Sequence, residues 1–251
     1  MTNERTGLVI EERLQDLKAH YQQLHADAGR VIEHTLAPEN PRQLSALHSF
    51  AADLAAWTEA LESRPELPIY RAAVLEYQYS LFAVASGLYR QAFMSLRLFL
   101  ELFCFAIECS ANELRLHKWI RGELDVSWSS IVEENTGVFS KDFTRAFFRE
   151  LEEMSPQYLA IAKKVYRECS QFVHANYITL HALETLHYEQ DVYQKWLDDA
   201  DAAKLVVSYL LCTRYLAGMN DAQKKSLEMV ITDTVGYIPI IRATLGGPTE
   251  E

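Results

Sequence analysis

The apolar residues of this chain recur with the 3.6-residue period of an α-helix almost from end to end. Only 9 Gly and 7 Pro interrupt that period in 251 residues, and they cluster where helices should end. The sequence therefore predicts an all-α fold with helices over residues 6–35, 42–63, 69–86, 88–111, 141–153, 156–176, 191–218 and 221–234, and short pieces between 113 and 135. The mixed pattern of residues 177–189 is compatible with an extended loop or with a short hairpin.

The segment at about 88–110 is apolar over most of its circumference, which is typical of a helix at the centre of a bundle. One polar seam, within about 20° of a single line along the helix, is formed by Arg90, Arg97, Glu101 and Glu108. Arg97 and Glu101 are four residues apart and could satisfy each other. Two interpretations stay open: this ion pair fixes the register of the central helix, or the seam helps to line a phosphate-binding cleft.

A chain of this length that is 49% hydrophobic can bury one sizeable core. Breaks rich in Pro and Gly divide it into an N-terminal helical extension at 1–65, a helical bundle at 66–244 and a flexible tail at 245–251. The N-terminus carries charges where a signal peptide needs an apolar run, and the longest uncharged apolar segment is too short to cross a bilayer. We therefore expect a soluble, cytoplasmic protein that has no membrane partner.

The charge and cysteine content exclude several classes of function. A net charge of −11 argues against a protein that coats nucleic acid, although a local cleft acting on a few phosphates remains allowed. The four cysteines form no C-x-x-C pair and have no His at metal-ligand spacing, so we expect free buried thiols and neither a metal site nor a disulfide framework. The motifs of serine hydrolases, P-loop enzymes, dehydrogenases and zincins are absent from the sequence, and no cofactor is expected.

One predicted helix separates an apolar face from a polar stripe. It runs from Ser155 to about Tyr177, with Ser155 expected to cap its free backbone N–H groups and Pro156 in its first turn. Its apolar face consists of Ile161, Val165, Cys169 and Phe172. Its polar stripe, called the outward stripe below, consists of Lys163, Arg167, Ser170 and His174.

The residue types of the outward stripe suit chemistry on a phosphodiester. A histidine can remove the proton of a ribose 2′-OH near neutral pH, so His174 is a candidate general base. Arg167 can hold the scissile phosphate while negative charge builds up in the transition state. In this hypothesis Ser170 and Gln171 bind the phosphate or orient the imidazole, and Lys163 steers the RNA backbone.

The run from Arg167 to His174, R-E-C-S-Q-F-V-H, follows a long central helix containing A-F-M-S-L-R-L-F-L-E and resembles the HEPN superfamily over residues 70 to 218. In that superfamily four to six residues lie between an Arg and a later His, and six lie between Arg167 and His174. Glu168 departs from the Asn, Asp or His that usually follows the Arg. The resemblance implies a metal-independent endoribonuclease that works as a homodimer, with two Arg/His pairs meeting across the interface. It also implies a toxin–antitoxin or antiphage-defence setting, with an antitoxin or defence-system protein as partner.

A different class of function fits the same sequence. Many HEPN-like domains are non-catalytic binding or dimerisation modules, and any surface helix displays a polar stripe opposite its core face. In this alternative the outward stripe is solvated surface. His181 and His187 follow the motif and, in the catalytic hypothesis, are candidates to line its cleft. The catalytic hypothesis predicts that Arg167 and His174 lie in a concave, positively charged groove at a dimer interface. The alternative predicts that they are dispersed on a flat acidic surface or engaged in salt bridges.

Overall fold

The computed structural model describes residues 2–37, 41–174, 179 and 186–248, with the side chains of residues 2–12 and 41 left aside. Within these ranges the regular structure is entirely helical, which confirms the predicted all-α class. The helices are α1 Thr2–Thr35, α2 Pro41–Ala60, α3 Leu67–Ala85, α4 Tyr89–Ala111, α5 Glu113–Ile120, α6 Trp128–Ile131, α7 Lys141–Phe148, α8 Ser155–Val173, α9 Gln190–Tyr215, α10 Asp221–Val235 and α11 Pro239–Thr244.

Two details depart from the sequence-based boundaries. The helix predicted over 141–153 ends at Phe148 and continues as a tighter 3-10 turn, Arg149–Met154, in which Leu151 is fully buried. The second departure is α11, which the periodicity missed because six residues are too few to display an amphipathic pattern. Its start follows a simple rule, since Pro239 stands in the first turn, where a missing N–H leaves no helical bond unmade.

The centre of the bundle is α4, as its apolar circumference predicts. It packs mainly against α3, α8 and α9, and Leu96, Phe99 and Leu100 have no exposed surface. Phe93 of α4 stacks on Phe172 of α8 with ring centroids 3.7 Å apart and nearly parallel planes. This contact fixes the C-terminal half of α8 against the central helix.

The helices α2, α3, α9 and α10 complete the same core. Phe50 and Trp57 of α2 are buried within it, and the Tyr77 hydroxyl on α3 donates to the backbone carbonyl of Leu47 at 2.7 Å. The Trp196 indole N–H on α9 donates to the Ser80 hydroxyl at 3.0 Å. Helix α2 therefore belongs to the packed bundle, and the boundary at residue 65 stays a prediction about how the chain divides.

Several smaller expectations concern the rest of the chain. Cys104, Cys109, Cys169 and Cys212 are buried free thiols, as predicted. Among the described residues, no helix has the length and apolar character needed to cross a membrane. Leu245 to Pro248, the described part of the predicted tail, turns back on Arg242, whose Nε donates to the Pro248 carbonyl at 2.8 Å. The expectation for residues 177–189 falls mostly outside the described residues.

Candidate functional site

Helix α8 lies between α4 on one side and α9 on the other, which leaves the outward stripe facing solvent. Its apolar face is buried through Val165, Cys169 and Phe172. The expected cap is absent, because Ser155 is already inside the helix and its hydroxyl donates to the backbone carbonyl of Phe139. Ser155 is fully buried, and a buried hydroxyl without a hydrogen-bond partner is costly, so the hydroxyl bonds to this carbonyl and does not cap the helix.

Arg167 and His174 are both exposed. Arg167 lies within α8, and His174 is the residue that ends the helix. The backbone N–H of His174 donates to the carbonyl of Ser170 at 3.0 Å, so the backbone of His174 continues the last turn of α8. Among the described residues, neither side chain has a hydrogen-bond or ion-pair partner. Seven residues at 1.5 Å each place their backbones about 10 Å apart along the helix axis.

The other predicted members of the site are engaged within the chain. The Lys163 ammonium lies 2.9 Å from a Glu134 carboxylate oxygen, at the edge of a cavity of about 550 Å³. The Ser170 hydroxyl donates to the backbone carbonyl of Tyr166 at 2.6 Å. Gln171 is half-buried, and its backbone carbonyl accepts a hydrogen bond from the Thr179 hydroxyl at 3.3 Å.

The polar seam of α4 meets α8 through Tyr166, which is the residue before Arg167. The Arg97 guanidinium lies 4.3 Å from the Tyr166 ring centroid and donates to its hydroxyl, which in turn donates to Glu101 at 3.1 Å. Arg97 and Glu101 are 3.8 Å apart. The indole ring of Trp128 stacks on Tyr166 with centroids 4.1 Å apart.

This geometry matches the first interpretation of the seam, an ion pair that fixes how α4 packs. Arg97 and Glu101 are brought together with Tyr166 and are not shown in contact with Arg167. Arg90, one level along the seam, donates to the carbonyl of Val173 at 3.2 Å and so supports the end of α8 from which His174 projects. The residues of the seam can be predicted from the sequence of α4. The contact with Tyr166 cannot, because it depends on how α4 and α8 pack.

On the opposite edge of α8 lies a group of charges that sequence reasoning missed, called the Lys195 cluster below. The Lys195 ammonium is 2.5 Å from Glu168 and 3.4 Å from Asp199, which is one turn further along α9. The two carboxyl groups are also hydrogen-bonded to each other. The only sequence signal is the i, i+4 spacing of Lys195 and Asp199.

The Lys195 cluster moves the pKa values of its two carboxyl groups in opposite directions. Burial, together with the hydrogen bond to Glu168, raises the pKa of Asp199 to about 8. Burial also acts to raise the pKa of Glu168, but its hydrogen bonds with Asp199 and Lys195 outweigh that effect and leave it below the ordinary value. Glu168 and Lys195 also line a cleft of about 430 Å³ between α8 and α9, with Lys164 at its edge.

The remaining predicted site residues can be placed only in part. His187 is half-buried, with its Nε2 atom 3.6 Å from a Glu189 carboxylate oxygen. His181 lies outside the described residues. In the part of the chain that the structure describes, no three His, Cys, Asp or Glu side chains converge to hold a metal ion.

Comparisons of the chain with protein-family models, with curated protein sequences and with solved structures gave no match. The resemblance to the HEPN superfamily therefore rests on the residues from Arg167 to His174 and on their helical setting.

Proposed function

We propose that this protein is a metal-independent endoribonuclease whose site is the outward stripe of α8, with Arg167 and His174 as its catalytic residues. One observation carries the proposal. Arg167 and His174 share an exposed face and have no side-chain partner among the described residues, whereas Lys163, Glu168, Arg97 and Glu101 are all engaged in ion pairs.

In the proposed reaction His174 takes the proton of a ribose 2′-OH, and the resulting oxygen attacks the adjacent phosphorus. The bond from phosphorus to the 5′-oxygen of the next nucleotide breaks, and the proton taken up by His174 is returned to that leaving oxygen. The products are a 2′,3′-cyclic phosphate and a free 5′-OH end. Arg167 donates hydrogen bonds to the phosphate oxygens as their negative charge increases.

The local charge of α8 supports an RNA substrate. The helix carries Lys163, Lys164 and Arg167 against the single acidic residue Glu168, in a chain whose net charge is −11. A small basic surface on an acidic protein attracts a short stretch of phosphates without binding RNA along its whole length. In the homodimer that the resemblance implies, the outward stripes of two chains face each other, with Arg167 of each chain near His174 of the partner.

The biological setting is proposed from the resemblance as well. A toxin or antiphage-defence ribonuclease must be held inactive until needed, and covering the exposed Arg167 and His174 would do so. An antitoxin or defence-system protein that binds the outward stripe is the partner this setting calls for.

The test compares wild type with Arg167→Ala and His174→Ala on total RNA, with chelator present and no metal added. We expect wild type to cleave and both variants to lose activity by at least about 100-fold, the usual contribution of a general base or a transition-state donor. Arg167→Lys separates charge from geometry, because a lysine keeps the charge but cannot bind a phosphate through two parallel N–H groups.

Two exposed residues elsewhere provide matched controls. Arg71→Ala on α3 and His117→Ala on α5 remove the same chemical groups from other surfaces, and both should leave cleavage unchanged. Circular dichroism checks that each variant is folded. Absence of cleavage by wild type, or equal loss in the control variants, contradicts the proposal.

A second candidate function, a non-catalytic helical binding module, is favoured by a different surface. Leu75, Tyr79 and Phe82 follow one another at helical spacing on α3 and are 45%, 52% and 64% exposed. Beside them, Leu36, Leu44 and Leu81 line a groove of about 570 Å³. A large exposed apolar surface is typical of a protein interface. If wild type cleaves no RNA, Phe82→Asp should disrupt binding of a partner whereas His174→Ala should not.

A further inference from the structure

The first helix contains a long stretch that is exposed to solvent. Residues 13–26 of α1 are exposed at every position, over almost four consecutive turns. Among the described side chains, α1 is buried against the rest of the chain towards its C-terminal end. Thr35 and Val31 are buried there, and His34 lies against Tyr188 with ring centroids 4.2 Å apart. The bundle thus holds one end of α1, and the other end projects from it.

Large apolar side chains line one side of the projecting stretch. Leu14, Leu17, Tyr21 and Leu24 are 57%, 52%, 63% and 37% exposed. They are spaced by three, four and three residues, which is the alternation of the a and d positions in a coiled coil. Gln15 and Gln22 occupy positions outside this seam, so its apolar character is confined to one side of the helix.

The same alternation continues where α1 reaches its own bundle. Ala28, Val31 and Thr35 are the next members of the seam, and Val31 packs against the backbone of Gly87. Gly87 has a φ of +74°, and a Cβ added there would lie 3.1 Å from Val31, so this position requires glycine for conformation and for space. One continuous seam is therefore covered at one end and open at the other.

An open seam of this kind needs a partner. A projecting helix without tertiary contacts is marginal in water, since most helical stability in proteins comes from packing of an apolar face. We propose that α1 pairs with α1 of a second copy of this chain in an antiparallel, two-stranded coiled coil, with Leu14 of each chain packed against Leu17 of the other. This inference does not rest on the ribonuclease proposal, which uses a different face of the molecule.

The flanking charges favour the antiparallel arrangement. In a parallel pair, Arg13 at a g position would lie opposite Lys18 at the following e position of the other chain, and this repulsion would occur twice. The histidines at the next g and e positions, His20 and His25, would also face each other. In an antiparallel pair g positions face g positions and e positions face e positions, so Arg13 and Lys18 are on opposite edges.

The bundle itself selects the register. Packing Leu14 against Leu17 of the partner places residue 28 of one helix level with residue 3 of the other. Ala28 is the first position of the seam that this chain's own bundle partly covers. The two helices thus overlap along the open seam and avoid both bundles. An interface of this length is near the lower end of stable interface sizes, so we expect a dimer that dissociates on dilution.

The test is sedimentation velocity of the full chain over a roughly hundredfold range of concentration, because a reversible dimer follows mass action. We expect wild type to shift from monomer to dimer with rising concentration. The double variant Leu17→Glu/Tyr21→Glu should dimerise much more weakly than wild type over the same range, since it places carboxylates in the seam. Its matched control, Gln15→Glu/Gln22→Glu, adds the same charge outside the seam and should dimerise as wild type does.

Cross-linking tests the orientation. A mixture of Leu14→Cys and Leu17→Cys chains should form a disulfide-linked heterodimer faster than either variant forms a homodimer, and faster linking of a single variant would indicate a parallel pair and overturn the proposal. A wild type that is monomeric at every concentration also overturns it. So does a dimer dissociation constant that Leu17→Glu/Tyr21→Glu leaves unchanged, because the chains are then joined by another surface, such as the outward stripe of α8. RNA cleavage is measured separately, so a failure of either proposal is distinguishable from a failure of the other.

Discussion

Arg167 and Glu168 are neighbours in sequence, yet they lie in opposite electrostatic surroundings. Glu168 turns towards α9 and is bound by Lys195 and Asp199. Arg167 turns outward and has no partner in the part of the chain that the structure describes. A rotation of 100° along one helix therefore separates a charge used to hold the bundle together from one that remains open to other molecules.

The edge of α8 that faces α4 extends this contrast. Tyr166, one residue before Arg167, receives the Arg97 guanidinium and donates to Glu101. Both edges of α8 thus carry polar groups that satisfy one another inside the protein, as semi-buried charges must. On the stripe between the edges, Arg167 and His174 have no partner among the described residues, and the proposed chemistry is placed there.

The largest effect on stability is expected at the Lys195 cluster. Lys195→Met keeps most of the side-chain volume but leaves the Glu168 carboxylate without its cation, and that carboxylate is 19% exposed. Removing one partner of a fully buried pair costs about 3–5 kcal/mol, and since a third of Lys195 is exposed we expect about 2 kcal/mol. Urea denaturation of wild type and of Lys195→Met measures this loss of stability.

Lys163→Met is the matched control, because Lys163 forms an ion pair of similar length on the exposed side of the same helix. The side chains of Lys163 and Glu134 are 42% and 72% exposed, so this pair should contribute no more than about 0.5 kcal/mol. Equal losses in Lys195→Met and Lys163→Met would mean that burial does not distinguish the two edges of α8.

The next effect concerns the dependence of stability on pH. The pKa of Asp199 is about 8 in the folded chain, against 3.8 ordinarily. Between these values the folded chain keeps a proton that the unfolded chain has released, so stability falls as pH rises, by up to about 1.4 kcal/mol per pH unit. Glu168 acts in the opposite sense, since its lowered pKa gives stability that is lost only as pH falls below its ordinary value of 4.5.

Asp199→Asn isolates this contribution, because an amide stays neutral at every pH and can still donate to Glu168. The stability of wild type relative to Asp199→Asn should decrease steadily from pH 5.5 to 8, a range in which Glu168 is ionised throughout. Chemical denaturation at several pH values measures the difference, and groups common to both proteins cancel. Parallel stability curves for the two proteins would show that Asp199 is already ionised at neutral pH.

The contrast also shows what the sequence could and could not predict. The helical period located α4, and i, i+4 spacing identified Arg97 with Glu101, because both signals are local. In the Lys195 cluster, Glu168 meets residues that lie at least 27 positions later in the sequence, and the packing of α8 on α9 brings them together. Sequence reasoning treated Glu168 as a departure from a motif, whereas the structure gives it a stabilising partner. The open seam of α1 was readable as a pattern, but its exposure required the fold.

The smallest effect on stability is expected at the outward stripe, although its effect on activity is expected to be the largest. Arg167→Ala and His174→Ala remove exposed side chains that bind nothing among the described residues, so each should change the free energy of unfolding by less than about 0.5 kcal/mol. Urea denaturation of these two variants, carried out together with Lys195→Met, allows the three changes in unfolding free energy to be compared directly. A loss of 1 kcal/mol or more in either variant would show that the side chain has a structural partner, and a loss of RNA cleavage in that variant could then reflect unfolding instead of chemistry. A neutral result assigns any loss of cleavage to the phosphate and proton roles of Arg167 and His174.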